Sequence, residues 1–329
     1  MRILIIKTSS MGDVVHNLPI IADIKKQFPD ALIDWVVEEN FVEILSMHPQ
    51  INQIIPVALR RWRKSIFAKK TWGEFRVFKQ QLQSQPYDIV IDTQGLLKSG
   101  LITYLSNSDN KCGYDKNSVR ESLASRFYHH KFNISYQQHA VLRCRALAAL
   151  SLQFTPPITA PDYGVQAPND LNLILGAQEL LNKPFILGLH GTSRDSKLWH
   201  TEHWIQLGKQ LQKKQLHLLL PWSNEVEFKR ARHIADALQN ATVLPKLNIT
   251  ALAMIISKSL AVVGMDTGLS HLAAALNKHV IAIYTDTNPA LTGVMAGANT
   301  CVNLGGKNQE PLPQEIMLQL NLLNIIPHA

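Results

Sequence analysis

Cysteine is scarce in this chain: three in 329 residues, Cys112, Cys144 and Cys301, none in a CxxC pair or at a Cys/His metal spacing. A scattered, odd-numbered set excludes a disulfide framework, fits a reducing compartment and leaves all three thiols as structural bystanders. Long hydrophobic runs are missing as well, since no apolar stretch approaches the ~20 residues that cross a bilayer. The apolar start in MRILIIK is too short for a signal-peptide core and has no small-residue cleavage site after it, so a cytoplasmic protein is expected. Glycine and proline, 16 of each, are spread evenly, and no repeat of roughly 20–50 residues recurs, which excludes collagen-like, low-complexity and solenoid chains.

Several catalytic fingerprints are also absent. No GxGxxG or GxxxxGK[ST] follows an apolar run, which weakens nicotinamide-dependent and P-loop readings. No DxD, HxxE or HExxH spacing occurs, and Asp13, Asp92 and Asp266 fall in three different loops, so no metal site is expected. The tandem His129-His130 beside Lys131 reads as a solvated turn rather than a metal site.

What is present suits a globular protein of two domains: 46% hydrophobic residues and 18% charged ones over a length that exceeds one ordinary domain. The net charge of +8 is unevenly placed, with +6 in residues 1–165 and +2 in residues 166–329. The densest stretch is RRWRKSIFAKK, Arg60 to Lys70. It fits a polyanion partner, whether an anionic membrane surface, an acidic substrate or a nucleic acid, or else a solvated loop. Interleaved aromatics suit nucleic acid, but no recognition motif for DNA or RNA accompanies them.

Along the chain, short β-branched apolar runs alternate with helical spacing. Strands are expected at Ile3–Ile6, Leu32–Val37, Ile54–Val57 and in YDIVID, with helices over Val14–Phe28, Val42–Met47 and Trp72–Gln83. TPPITAP, between Phe154 and Pro184, is the best linker. Beyond it come strands in FILGLHG, LHLLLPW, Ala261–Met265 and HVIAIYT, with helices over His203–Lys214, Val226–Leu238, from Gly268, and over Pro313–Ile326. The pattern predicts an α/β protein of two doubly wound units with parallel sheets, and a ligand in a cleft between them at the carboxyl ends of the strands.

Polar loops stand at those strand ends. KTSSMGD follows the first strand, and Asp13 there serves either as a helix cap or as a base for an acceptor hydroxyl. Lys7 stands near enough in sequence to favour its charged form. HGTSRDSK places Thr192, Ser193, Arg194 and Lys197 past another strand, either as a capped loop or as donors to a departing diphosphate. In GMDTGLSH, Thr267-Gly268 permits close approach of phosphate to a helix start, while His271 is a second candidate there or a buried structural residue. Glu227 can accept from ribose hydroxyls or is an ordinary helix charge.

KTSSMGD, VVEE, IPVALRRWRK, DTQGLLKS, QQHAVLR, SRDSKLWHTEHW, LLLPW and DTGLSHLAAAL, in that order over almost the whole chain, resemble the ADP-heptose:lipopolysaccharide heptosyltransferases. The KTSSMGD and RRWRK forms are nearer the branch that adds the first heptose to Kdo than the branch that adds the second. The resemblance implies a GT-B architecture, two Rossmann-like domains facing a central cleft: an acceptor domain over 1–165, joined by the C-terminal helix of 313–329, and a nucleotide-sugar domain over 166–312. It implies inverting transfer from ADP-heptose to the Kdo of Kdo2-lipid A, without a metal or other cofactor. By the same resemblance Asp13 is the catalytic base. Thr192, Ser193 and Lys197 hold the diphosphate, Glu227 the ribose, Leu247 stands near the adenine, and Asp266, Thr267, Gly268 and His271 take the heptose and phosphates. Lys7, Ser10, Arg60, Arg61, Arg63, Lys64, Arg120 and His139 would meet the acceptor. The expected setting is the cytoplasmic face of a bacterial inner membrane, in peripheral contact with its anionic surface and with no nucleic-acid partner. Departures from the family pattern are Ser193 where Thr is usual, Leu247 where Met is frequent, and YTDTNPA at 284–290, to which no role is assigned. The alternatives are an enzyme of the second-heptose type, a non-catalytic module for anionic lipid, and a nicotinamide-dependent enzyme.

Overall fold

Arg2–Ile6 (β1) reads RILII, and Ile3 to Ile6 are wholly buried, as a strand covered on both faces requires. The computed structural model describes residues 1–174, 178–192 and 194–326. Its contacts divide the chain into two units, Met1–Val165 and Gln166–Ala329.

In the first unit β1 is followed by α1 (Met11–Asn17), α2 (Pro19–Gln27), β2 (Leu32–Glu38), α3 (Val42–Ser46), β3 (Gln53–Val57), α4 (Leu59–Trp62) and α5 (Lys69–Gln83). Then come β4 (Ile89–Asp92), α6 (Leu97–Leu105), β5 (Lys111–Tyr114), β6 (His130–Phe132) and α7 (Ala140–Ser151). The six strands pair in parallel in the order β3-β2-β1-β4-β5-β6. Ile3 of β1 lies between Ile33 of β2 and Ile89 of β4.

The second unit repeats the plan with β7 (Phe185–Leu189), α8 (Thr201–Lys213), β8 (His217–Leu220), α9 (Glu225–Asp236), β9 (Ala241–Val243) and α10 (Ile249–Lys258). It ends with β10 (Ala261–Met265), α11 (Gly268–Ala275), β11 (Val280–Tyr284), α12 (Pro289–Thr292), β12 (Cys301–Gly305) and α13 (Pro313–Leu322). Its parallel order, β12-β11-β10-β7-β8-β9, is that of the first sheet traced from the other side. In each unit the chain runs outward from its first strand, then crosses back to the far side. Connections beside β1 and β4, and beside β7 and β10, therefore part at the carboxyl edge and leave a crevice there.

Several expectations are corrected. The helix expected over Val14–Phe28 is two, because Pro19 lacks an N–H and opens α2 at its first position. The stretch expected to be a basic loop is helical over Leu59–Trp62. The final helix, expected to return to the first domain, instead supplies Ile316, Met317 and Leu320 to the core of the second unit, where it packs on α8. Its apolar face is plain in the sequence, but which core that face covers is a tertiary matter.

Arg145 of α7 is buried and forks onto Asp23 of α2, Nε to Oδ2 at 2.7 Å and Nη2 to Oδ1 at 2.9 Å, while Nη1 donates to the Thr159 carbonyl at 2.6 Å. Removing one partner of such a pair leaves the other's charge uncompensated in the core. Arg145→Met should lower stability by about 3–5 kcal/mol in urea denaturation, and Asp23→Leu added to it should restore much of the loss.

Candidate functional site

Asp13 sits in the first turn of α1, where a carboxylate complements the helix dipole. Its Oδ2 accepts from the Ser10 N–H at 2.8 Å and the Ser10 hydroxyl at 2.9 Å. Burial pushes this carboxyl up, but Lys7, the two Ser10 bonds and Arg120 outweigh burial and hold its pKa below the ordinary 3.8. Lys7 is itself buried, its Nζ donating to the Thr93 carbonyl at 3.0 Å.

The loop after β4 fixes the loop after β1. Gln94 Oε1 accepts from the N–H groups of Thr8 and Ser9, each at 3.1 Å, and Lys98 Nζ donates to Ser9 Oγ at 3.1 Å. Gln94 is held in turn by Asp92, a wholly buried carboxyl that accepts from Tyr128 OH at 2.7 Å, Gln94 N–H at 2.8 Å and Gly95 N–H at 3.1 Å. Burial pushes Asp92 up despite those donors. Gly95 turns with φ +68°, and a side chain there would meet Val119, next to Arg120. The structure thus brings Asp13, Lys7, Ser10 and Arg120 together. His139 caps α7 and lies edge-on to His16, one turn beyond Asp13 on α1, at 5.7 Å.

The basic segment does not act as one block. Arg61 pairs with Glu39 at 2.9 and 3.0 Å and with Glu74 at 2.6 Å while its side chain stays half exposed. Arg60 donates its N–H to buried Glu38 at 2.8 Å and lays its guanidinium over Phe41 at 5.3 Å. Arg63 and Lys64 form no ion pair among the described residues.

In the second unit the carboxyl-edge loops gather a second polar set. Lys197 Nζ donates to Asp266 Oδ2 at 2.6 Å, Thr287 Oγ1 donates to the same oxygen at 2.7 Å, and Thr192 Oγ1 reaches the Asp266 carbonyl at 3.1 Å. Thr267 caps α11 with no side-chain bond to its N–H groups, Gly268 opens that helix, and His271 is buried one turn in. Glu227 accepts from the N–H and hydroxyl of Ser223, both at 2.7 Å, and lies so near Gly191 that a Cβ there would stand 2.8 Å from it. Leu247, half-buried, is on the loop before α10, adjoining the strand end that Trp222 Nε1 grips through the Leu244 carbonyl at 2.8 Å. Burial of His190, at the end of β7, drops its pKa to about 4, which leaves a neutral ring on the Pro221 carbonyl. Ser193 lies outside the described residues. No three His, Cys, Asp or Glu side chains gather as a metal-holding group among the described residues.

Three contributors were not singled out by sequence. Gln94 and Lys98 stand in DTQGLLKS, which carried resemblance without roles for single residues, and Thr287 lies in the unassigned 284–290 loop. Residues 75–318 match the model of glycosyltransferase family 9 (heptosyltransferase). The chain belongs to this family.

As a member of glycosyltransferase family 9 it is an enzyme, and its two doubly wound α/β units are the GT-B fold class the resemblance implied. It is similar to lipopolysaccharide heptosyltransferase 1 of Escherichia coli (strain K12), 42% identical over 98% of this chain and 97% of that one. The solved E. coli heptosyltransferase WaaC with ADP superposes with a TM-score of 0.88 at 38% identity, covering 98% of this chain and 100% of that chain. With ADP-2-deoxy-2-fluoro heptose bound, that enzyme matches at a TM-score of 0.85 and 37% identity, over 98% and 99% of the two chains. Lipopolysaccharide heptosyltransferase 2 of Salmonella typhimurium is more distant, 22% identical over 89% of this chain and 85% of that one.

The charges around Asp13 make a direct prediction. With its pKa depressed in the fold, the carboxylate adds stability above the unfolded value, and that contribution is lost as pH falls through the depressed one. In a carbon-detected NMR titration Asp13 should have its midpoint below 3.8, and Arg120→Ala should raise it. An unmoved midpoint would separate Arg120 from this site.

Proposed function

We propose that the protein transfers L-glycero-D-manno-heptose from ADP-heptose to the Kdo of Kdo2-lipid A in one inverting displacement, the first heptose addition of a lipopolysaccharide inner core. The observation that carries this reading is Asp13: a carboxylate fixed by Ser10 at the carboxyl edge of the first sheet, kept ionised by Lys7 and Arg120. An acceptor hydroxyl gives its proton to Asp13 as its oxygen bonds to the anomeric carbon; the bond from that carbon to the diphosphate breaks, and ADP leaves with the electron pair. Arg60, Arg63, Lys64 and Arg120 meet the acceptor's carboxylates and phosphates, with His139 beside them. Arg61, half-exposed in its pairs with Glu39 and Glu74, joins them by exchanging those partners for the acceptor's anions. The far lower identity to the enzyme-2 relative weighs against the second-heptose reading.

In the second unit Thr192, Ser193 and Lys197 serve the diphosphate, with the N–H groups opening α11 at Thr267 and Gly268. Glu227 takes the ribose, Leu247 lines the adenine, and Asp266 and His271 take the heptose. Lys197 and the helix start supply positive charge where the leaving group gains negative charge, so no metal ion is required. Because the acceptor is a lipid, the enzyme works in peripheral contact with the cytoplasmic face of the inner membrane. No helix among the described residues is long and apolar enough to cross it.

Two measurements test this. ADP release from ADP-heptose in EDTA should require a Kdo-bearing acceptor; release without acceptor would mean hydrolysis, and loss in EDTA would overturn metal independence. Asp13→Ala should lower kcat by about 10²–10⁴-fold while ADP affinity stays within a factor of two or so. A matching loss of ADP binding would remove Asp13 from the role of base.

A further inference from the structure

Between α4 and α5, and in the first turn of α5, large apolar groups face water. Ile66 is 53% exposed, Phe67 97% and Trp72 59%, all within seven residues. Ile66 and Trp72 line a cavity of about 580 Å³ whose walls also include Leu59 and Phe75, with the cations Arg60, Arg63 and Lys98. An edge-on aromatic stack stiffens this region: Trp62 meets Phe75 at 6.0 Å and Phe78 at 5.9 Å, and Phe75 meets Trp72 at 6.2 Å. Arg63, Lys64 and Lys69 flank the apolar groups with no ion pair among the described residues, and Lys70 reaches Glu74 only at 4.0 Å.

The proposed transfer accounts for only part of this arrangement. Arg63 and Lys64 suit the acceptor's anionic groups, but it gives Lys69 and Lys70 no role, and Phe67 and Ile66 do nothing for a saccharide. Charge complementarity selects the occupant. A second copy docked patch to patch would set these cations against their own kind. A nucleic-acid strand could stack on Trp72 and Phe67, but Leu59, Ile66 and the apolar cavity offer it nothing. Apolar and aromatic side chains ringed by Lys and Arg are what an interfacial segment presents to a membrane.

We infer that residues 66–72 are the enzyme's docking surface for an anionic phospholipid bilayer. Phe67 and Ile66 enter the boundary between headgroups and acyl chains, Trp72 lies at headgroup level, and Lys69 and Lys70 meet lipid phosphates. The inference rests on the membrane contact proposed above and assigns it to a specific element.

The test is co-sedimentation of the full chain with phosphatidylcholine vesicles, with and without phosphatidylglycerol. Binding should require phosphatidylglycerol and weaken with salt. Phe67→Ser should lower partitioning about ten-fold or more, and Lys69→Ala about five-fold. Both positions are at the surface, so an unchanged thermal melt shows that the fold survives. Transfer onto a water-soluble, acyl-free Kdo acceptor should be unchanged in Phe67→Ser, so the loss is one of docking and not of chemistry. If the parent enzyme fails on that acceptor, the proposed reaction is at fault, while the vesicle result still stands for or against the surface. Equal binding to phosphatidylcholine alone, no effect of Phe67→Ser, concentration-dependent dimerisation abolished by Phe67→Ser, or displacement from vesicles by single-stranded nucleic acid would each overturn the inference.

Discussion

Parallel pairing is the constraint from which the rest follows. A parallel neighbour can be reached only by crossing the sheet, so every strand of a unit ends at the same edge, and the reversal beside the first strand parts the loops there. Both units obey this. Lys7, Ser10 and Asp13 follow β1 and face the β4 loop; Thr192 and Lys197 follow β7 and face Asp266 after β10. The charges are used in opposite senses. In the first unit a carboxylate is held among cations, and in the second a lysine is held by a carboxylate.

Precision at Asp13 is delivered by a relay that begins in the core. Asp92 is expensive to bury, and the donors that compensate it include the N–H of Gln94. Gln94 is thereby aimed so that one amide oxygen takes two successive N–H groups of the β1 loop. The next residue is Ser10, which grips Asp13. The links from Asp92 to Gln94 and from Gln94 to Thr8 and Ser9 satisfy buried polar groups, which makes the loop stiff without regular structure.

The central strands were legible because burial on both faces writes itself as an unbroken apolar run: Ile3–Ile6 and Ala261–Met265 need no context. Short and edge strands carry little of this signal. HKF of β6, at the sheet edge, is largely exposed, and KCGY of β5, inside the sheet, is only four residues long, so neither stood out. Asp13, Lys197 and Asp266 were legible through loop chemistry and family resemblance. The pairing of Arg61 with Glu39 and Glu74 was not, because ion pairs between separate elements leave no periodicity in the chain. Thr287 was missed for a related reason: its loop departs from the family pattern, and only folding brings it to Asp266.

The low proton affinity of Asp13 bears on the timing of the reaction proposed for it. A carboxylate whose neighbours lower its pKa stays ionised at neutral pH and is for the same reason a weaker base. In the proposed transfer it takes the acceptor's proton as the attacking oxygen turns acidic through bonding to the anomeric carbon. The cations that keep Asp13 free of a proton beforehand also limit how hard it can pull on one.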